Sequence, residues 1–127
     1  ILKVEPGLPQ VFIDKVQIQQ ILVNLVRNAT EAMSGRNKRQ LTISTGLEGS
    51  DVEIAVSDTG TGLPDDVVSR LFHPFVTTKE RGMGMGLSIC RTIAEAHGGR
   101  LWLASNTSEG ATFKLSLPIG NVGEPVK

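Results

Sequence analysis

The amino-acid sequence predicts an α+β fold, a two-layer sandwich in which a mixed, mostly antiparallel sheet is covered on one face by helices. Three observations carry that expectation. Two long stretches repeat apolar residues every three or four positions, as helices with one buried stripe do. Several shorter stretches alternate apolar and polar residues, as half-buried strands do. Most of those come in consecutive pairs joined by short turns, which makes neighbours antiparallel.

The first expected elements are two short strands, residues 2–5 and 11–13, on either side of the turn-forming run Pro6, Gly7, Leu8 and Pro9. Asp14 is placed to cap a helix, with Gln17 in the reciprocal capping-box position, and helical sequence continues to Met33 before Ser34 and Gly35 stop it. Within that helix Ile18, Ile21, Leu22, Leu25, Ala29 and Ala32 fall on one stripe, and Asn24 and Asn28 sit one turn apart beside it. Residues 41–45 and 52–58 read as a hairpin in which Val52, Ile54, Val56 and Asp58 share a face. Residues 64–72 predict a short helix, and residues 76–85 a polar loop punctuated by glycine. A second long helix follows, with Leu87, Cys90, Ile93 and Ala94 on its buried face and Gly98 and Gly99 ending it at His97. Residues 101–105 and 111–117 form the last hairpin, turning around Glu109 and Gly110, and the tail 118–127 reads as flexible.

With 127 residues, 39% of them hydrophobic, the chain has the size of one domain, so residues 1–127 are expected to share a single core and a single site. Thirteen basic residues balance thirteen acidic ones, and a formal net charge of +0 leaves no basic footprint to draw the chain onto nucleic acid or an anionic membrane. The lone Cys90 cannot form an internal disulfide and sits in an apolar helical stretch, which fits a reducing, cytoplasmic setting. No apolar run approaches the roughly 18 residues that cross a bilayer. The sequence opens at Ile1 with neither an initiator Met nor a signal-peptide pattern, so it reads as a piece of a longer protein that could itself be soluble or membrane-anchored.

Four patterns carry candidate chemistry. Asp58, Gly60 and Gly62 form D-x-G-x-G at the end of a strand, with the carboxylate on the core-facing parity. A buried carboxylate needs a donor; an adenine amino group is a suitable one, and the glycines would let backbone approach a flat base. A solvated turn with Asp in a turn-favoured place is the competing reading. Gly82, Gly84 and Gly86 form G-x-G-x-G immediately before the Leu87 helix, where free amides and the helix dipole favour a phosphate, although any flexible loop can look alike. The preceding strand that a dinucleotide-binding fingerprint requires is missing. Asn28 offers an amide oxygen beside the core stripe, suited to Mg2+ when phosphates and waters complete the shell; Asn24 faces the same side, and both could equally be tolerated surface residues. Phe72, His73, Pro74 and Phe75 read as an aromatic staple at the base of the loop, and His73, His97 and Cys90 match no zinc spacing.

Taken in order, these pieces resemble the catalytic, ATP-binding domain of sensor histidine kinases, in the superfamily shared with gyrase, Hsp90 and MutL. The N box resembles residues 24–29, the first glycine box residues 58–62, the F box residues 72–75, the second glycine box residues 82–87, and the last box residues 110–113. Residues 74–100 are most similar to the oxygen-sensing and nitrogen-regulatory sensor kinases. The resemblance implies the Bergerat-type ATP-binding fold and ATP with Mg2+ as cofactors. It implies that Asp58 accepts from adenine, that Thr112 supports the same base, that Asn28 holds Mg2+, and that residues 76–85 form an ATP lid from which Lys79 reaches the phosphates. Gly60, Gly62, Gly82, Gly84, Gly86 and Leu87 would complete the nucleotide contacts. The ATPase members place a glutamate where Asn24 stands; an amide cannot take the proton of an attacking water, so ATP should be held rather than rapidly hydrolysed. The γ-phosphoryl would go to a histidine on a separate dimerisation domain and from there to a response regulator, with the isolated domain a monomer in the cytoplasm. An anti-sigma-factor-type serine kinase, or an interaction module without nucleotide, are the alternatives.

Overall fold

The computed structural model describes residues 2–3, 15–72 and 83–118, with side chains described for 16–72 and 86–118. In chain order the elements are β1 (Leu2–Lys3), α1 (Lys15–Ala32), β2 (Thr42–Glu48), β3 (Asp51–Ser57), α2 (Asp65–Val68), α3 (Met83–Ala96), β4 (Arg100–Thr107) and β5 (Gly110–Pro118). The strands form one sheet in the order β1-β2-β3-β5-β4, parallel only between β1 and β2. The antiparallel sandwich expected from the alternating segments is thus present.

Alternation decides which sheet face meets the helices. Val56 pairs with Phe113, Ile54 with Leu115 and Val52 with Leu117, and this file of apolar cross-strand pairs lies under α1 and α3. From α1, Ile18, Ile21, Leu25 and Ala29 reach the core; from α3, Leu87, Cys90 and Ala94 do. The opposite face of the sheet is polar, with Glu53 paired to Lys114 at 3.0 Å and Ser116 donating to Asp51 at 3.0 Å. Burial also pushes the Cys90 thiol up to about 11, so it stays protonated as a small hydrophobe.

Three boundaries differ from expectation. The hairpin strands run longer, to Glu48, Thr107 and Pro118, so Pro118 belongs to β5 rather than to a tail. The helix expected over 64–72 holds only four α-helical residues. Ser69 and Arg70 then donate side-chain bonds to the Asp66 carbonyl, and the backbone tightens to three-residue bonds, Arg70 to Val67 and Leu71 to Val68. Lastly, α3 starts at Met83, so Gly84 and Gly86 lie in its first turns and not in the loop before it. Its far end follows the pattern: Gly98, with φ of 77°, donates to Glu95 and Gly99 to Ala94, the paired bonds of a Schellman cap. The strand expected over 11–13 and the capping role of Asp14 lie outside the described residues.

Candidate functional site

A narrow cleft opens where the C-terminal half of α1 faces the ends of β3 and β5. It is lined by Asn28, Ala29 and Ala32 on one side and by Asp58, Gly62, Leu63, Ala111 and Phe113 on the other. Asp58 reaches it because β3 continues its core-facing parity one step past Val56. The carboxylate is fixed by the backbone: Gly60 N–H donates to Oδ1 at 2.8 Å and Ala111 N–H at 3.3 Å, while Asp58 N–H donates to the Ala111 carbonyl at 3.0 Å. No described residue donates to Oδ2, so one oxygen remains for a ligand's N–H.

The glycines of this turn serve the protein more than the ligand. A Cβ on Gly60 would lie 2.5 Å from the Ala32 carbonyl oxygen, so Gly60 lets the turn pack on the end of α1. A Cβ on Gly62 would collide with the Thr107 carbonyl, so the turn also abuts β4. Thr59 ties the same turn to the loop after α1, accepting from Gln40 N–H at 2.9 Å and lying 3.0 Å from the Lys38 carbonyl it donates to. Arg36 donates to the Thr59 carbonyl at 3.3 Å and faces Glu109 at 3.8 Å.

The other wall runs along α1. Asn28 is 4% exposed, and its Nδ2 has no hydrogen-bond partner among the described residues. Glu31, one turn on, holds a buried Oε1 that likewise lacks one. Asn24 stands against α3: a Cβ on Gly86 would lie 2.6 Å from Asn24 Oδ1, so the glycine admits this amide to the first turns of the helix. Asn24 therefore lies on the side of α1 that faces the start of α3, where free amides and the dipole favour an anion, and Asn28 follows it one turn on.

Of the residues singled out in the sequence, the cleft brings together Asn28, Asp58 and Gly62, with Gly60 midway between the last two in the turn and Asn24 against Gly86 one turn back along α1. Two are placed elsewhere. Thr112 has the opposite strand parity to Ala111 and Phe113, and its hydroxyl lies 2.8 Å from that of Ser57 on the polar face of the sheet; Ala111 takes the lining position instead. Leu87 is 0% exposed and packs in the core, so only its backbone could meet a ligand. Lys79 and Gly82 lie outside the described residues, as do His73, Pro74 and Phe75. Phe72 itself meets Phe113 edge-on at 6.5 Å, with the Arg91 guanidinium 5.2 Å from its own ring.

Reading by motif missed Thr59, Asn106 and Glu31. Glu31 was accessible, since it follows Asn28 by one turn on the same polar stripe. The other two act through irregular backbone that leaves no periodicity.

Does the donor set fit a magnesium nucleotide? The unpartnered Nδ2–H of Asn28 fits a phosphate oxygen and the open oxygen of Asp58 an exocyclic amine, while Mg2+ would look to the amide oxygen of Asn28. No group of three or more His, Cys, Asp or Glu gathers among the described residues, so a metal here would depend on ligand oxygens for most of its shell. The enclosed space is about 10 Å3, room for about one water and too little for a purine unless the walls shift.

An α+β sandwich with a carboxylate at a strand end and a buried asparagine opposite defines a class of nucleotide-binding domain. Residues 13–121 match the family of histidine kinase-, DNA gyrase B- and HSP90-like ATPases, and the chain belongs to it as a histidine-kinase catalytic domain. It is 55% identical over 115 residues to the sensor protein FixL of Bradyrhizobium diazoefficiens, which covers 90% of this chain and 23% of FixL. The catalytic domain of histidine kinase ThkA, in a nucleotide-free form, matches with a TM-score of 0.79 at 36% identity over 92% of this chain and 76% of its own. Full-length ShkA in complex with AMPPNP matches with a TM-score of 0.76 at 28% identity, over 98% of this chain and 26% of that one. ThkA is also solved in complex with the response regulator TrrA, and there the TM-score is 0.74 at 31% identity over 97% of this chain and 34% of that one.

Proposed function

We propose that this domain binds Mg-ATP in the cleft and donates the γ-phosphoryl group to a histidine on a separate dimerisation domain of a two-component kinase, from which a response regulator receives it. The observation that carries this is one geometry: a carboxylate whose Oδ1 is locked by two backbone amides and whose Oδ2 is open, facing a buried asparagine with an unpartnered amide. Asp58 would orient the base, and Asn28 would hold Mg2+, which supplies neutralisation of phosphate charge. Gly84 and Gly86 would present the first amides of α3 to the phosphates, with Gly82 and Lys79 contributing from the lid. Asn24 holds the place next to Gly86 without a basic oxygen able to take a proton from water, which favours transfer over hydrolysis.

The relatives support this reading by name: FixL is a sensor protein, ShkA is solved with a nucleotide analogue, and ThkA with a response regulator. We place the domain in the cytoplasm and expect it to be monomeric alone. The test is to mix the chain with an isolated histidine-bearing helical dimer and labelled ATP. Acid-labile, base-stable phosphate on that partner is the expected result. Acid-stable phosphoserine on another protein would establish a serine kinase instead, and no nucleotide binding by calorimetry would leave only an interaction module.

A further inference from the structure

Strand β4 carries a register shift between Leu103 and Ser105, and its consequence lies at the cleft. Up to that point Leu101 and Leu103 face the core opposite Leu115 and Phe113. Regular alternation would then turn residue 105 toward the core and residue 106 away from it. The extra residue, Ala104, reverses this: Ser105 comes opposite Thr112, and Asn106 opposite Ala111, on the cleft's side of the sheet.

There Asn106 behaves like a short piece of strand. Its Oδ1 accepts from Leu63 N–H at 2.8 Å, and its Nδ2 donates to the Leu63 carbonyl at 2.9 Å, across 43 residues of sequence. The turn holding Asp58 is thereby fixed at both ends by one cross-strand pair: Ala111 binds Asp58, and its partner Asn106 binds Leu63. Between those anchors lie only Thr59, Gly60, Thr61 and Gly62, and Gly62 has a φ of 77°. A segment so rich in glycine has little stiffness of its own. Both Gly62 and Leu63 line the cleft, so the clamp sets the wall that a base would meet next to the carboxylate.

We infer that Asn106, aimed by the β4 bulge, is a positioning residue that determines the base selectivity of the nucleotide site. The inference rests on the nucleotide-binding reading above. Asn106 makes no contact with the ligand itself; it holds Asp58 and Leu63 at a fixed separation, so that the 6-amino group of a purine meets Oδ2 in the right direction. Without it the turn moves, and the energetic distinction between adenine and a purine lacking that amine shrinks.

The experiment is calorimetric titration of the wild-type chain, Asn106→Leu and Asn106→Asp with ATP and with purine riboside triphosphate, which lacks the 6-amino group. Wild type should prefer ATP about tenfold, the worth of one hydrogen bond to a charged acceptor. In Asn106→Leu that preference should fall below about threefold, with Asn106→Asp between because it retains the acceptor for Leu63 N–H but loses the donor. If Asn106→Leu does not fold, Asn106→Asp alone decides. A clamp with only a structural role would lower the melting temperature, or weaken both ligands equally, while the preference for ATP stayed intact. An unchanged ratio therefore overturns the inference. A wild-type chain that binds neither triphosphate overturns the nucleotide reading as well, so the two failures are distinguishable.

Discussion

The two ends of the cleft are built on opposite plans. Around Asp58 the turn is closed on itself: Gly60, Ala111, Asn106, Thr59 and Arg36 make hydrogen bonds within the protein, and the glycines sit against carbonyl oxygens. Along α1, Asn28 Nδ2 and Glu31 Oε1 are buried without hydrogen-bond partners among the described residues. A closed, bonded end suits a rigid ligand part whose shape is fixed, such as a flat base. An end with open polar groups stores unmet hydrogen-bonding capacity until a charged ligand supplies it, which is how a site can be pre-organised for phosphates and a cation without being filled by the protein itself.

The sharpest way to break this contrast is to change the one group at each end that the proposed function turns toward the nucleotide. Asp58→Asn replaces an acceptor with an amide whose NH2 must point either at the Gly60 and Ala111 amides or at the base, a donor clash in both cases. ATP affinity should fall by about 10- to 100-fold in calorimetry, the cost of losing a hydrogen bond to a charged group. Asn28→Asp puts a second negative charge beside the phosphates, and phosphotransfer to a histidine-bearing helical dimer should drop by about 100-fold or more, with Mg2+ concentration shifting the loss. Unchanged behaviour in both variants would remove the site assignment altogether.

Packing and function separate at two of the glycines. Gly60→Ala drives a methyl against the Ala32 backbone, which cannot rotate away. The variant should lose about 1–3 kcal/mol of stability by urea titration, the usual cost of overpacking. Gly86→Ala meets only the far end of the Asn24 side chain, which can turn, and a helix gains about 0.5–1 kcal/mol when Ala replaces an interior Gly. Its stability should change by less than about 1 kcal/mol while ATP affinity drops, because Asn24 is displaced from the start of α3. A loss of stability at Gly86 as large as at Gly60 would mean that the two ends do not differ in plan.

How much of this could be read from the residues varies with the physics involved. The stripe of Ile18, Ile21, Leu25 and Ala29 and the alternation of Val52, Ile54 and Val56 expose the sandwich, because burial of a regular element imposes its period on the sequence. Asp58 and Asn28 were legible as a pair only by adding parity on a strand to phase on a helix. The bulge at Ala104 left no trace, since a single extra residue in an alternating run has no signature of its own; with it went Asn106. The start of α3 was obscured because glycine ordinarily argues against helix, and here it is retained for the approach of Asn24.

Thr112 offers the finest test, and the smallest expected effect. The family resemblance implies that it supports the base through its hydroxyl or a water, while the alternation of Ala111, Phe113, Leu115 and Leu117 toward the core turns it to the other face. There it shares a hydrogen bond of 2.8 Å with Ser57, partly exposed. Thr112→Val keeps the shape and removes only that bond, so stability should fall by no more than about 1 kcal/mol. ATP affinity should stay within about twofold of wild type, because the cleft wall at this level is the methyl of Ala111. A drop of tenfold would show that the threonine reaches the nucleotide through a rearranged β5, and the closed character of the base end would then hold only until ligand arrives.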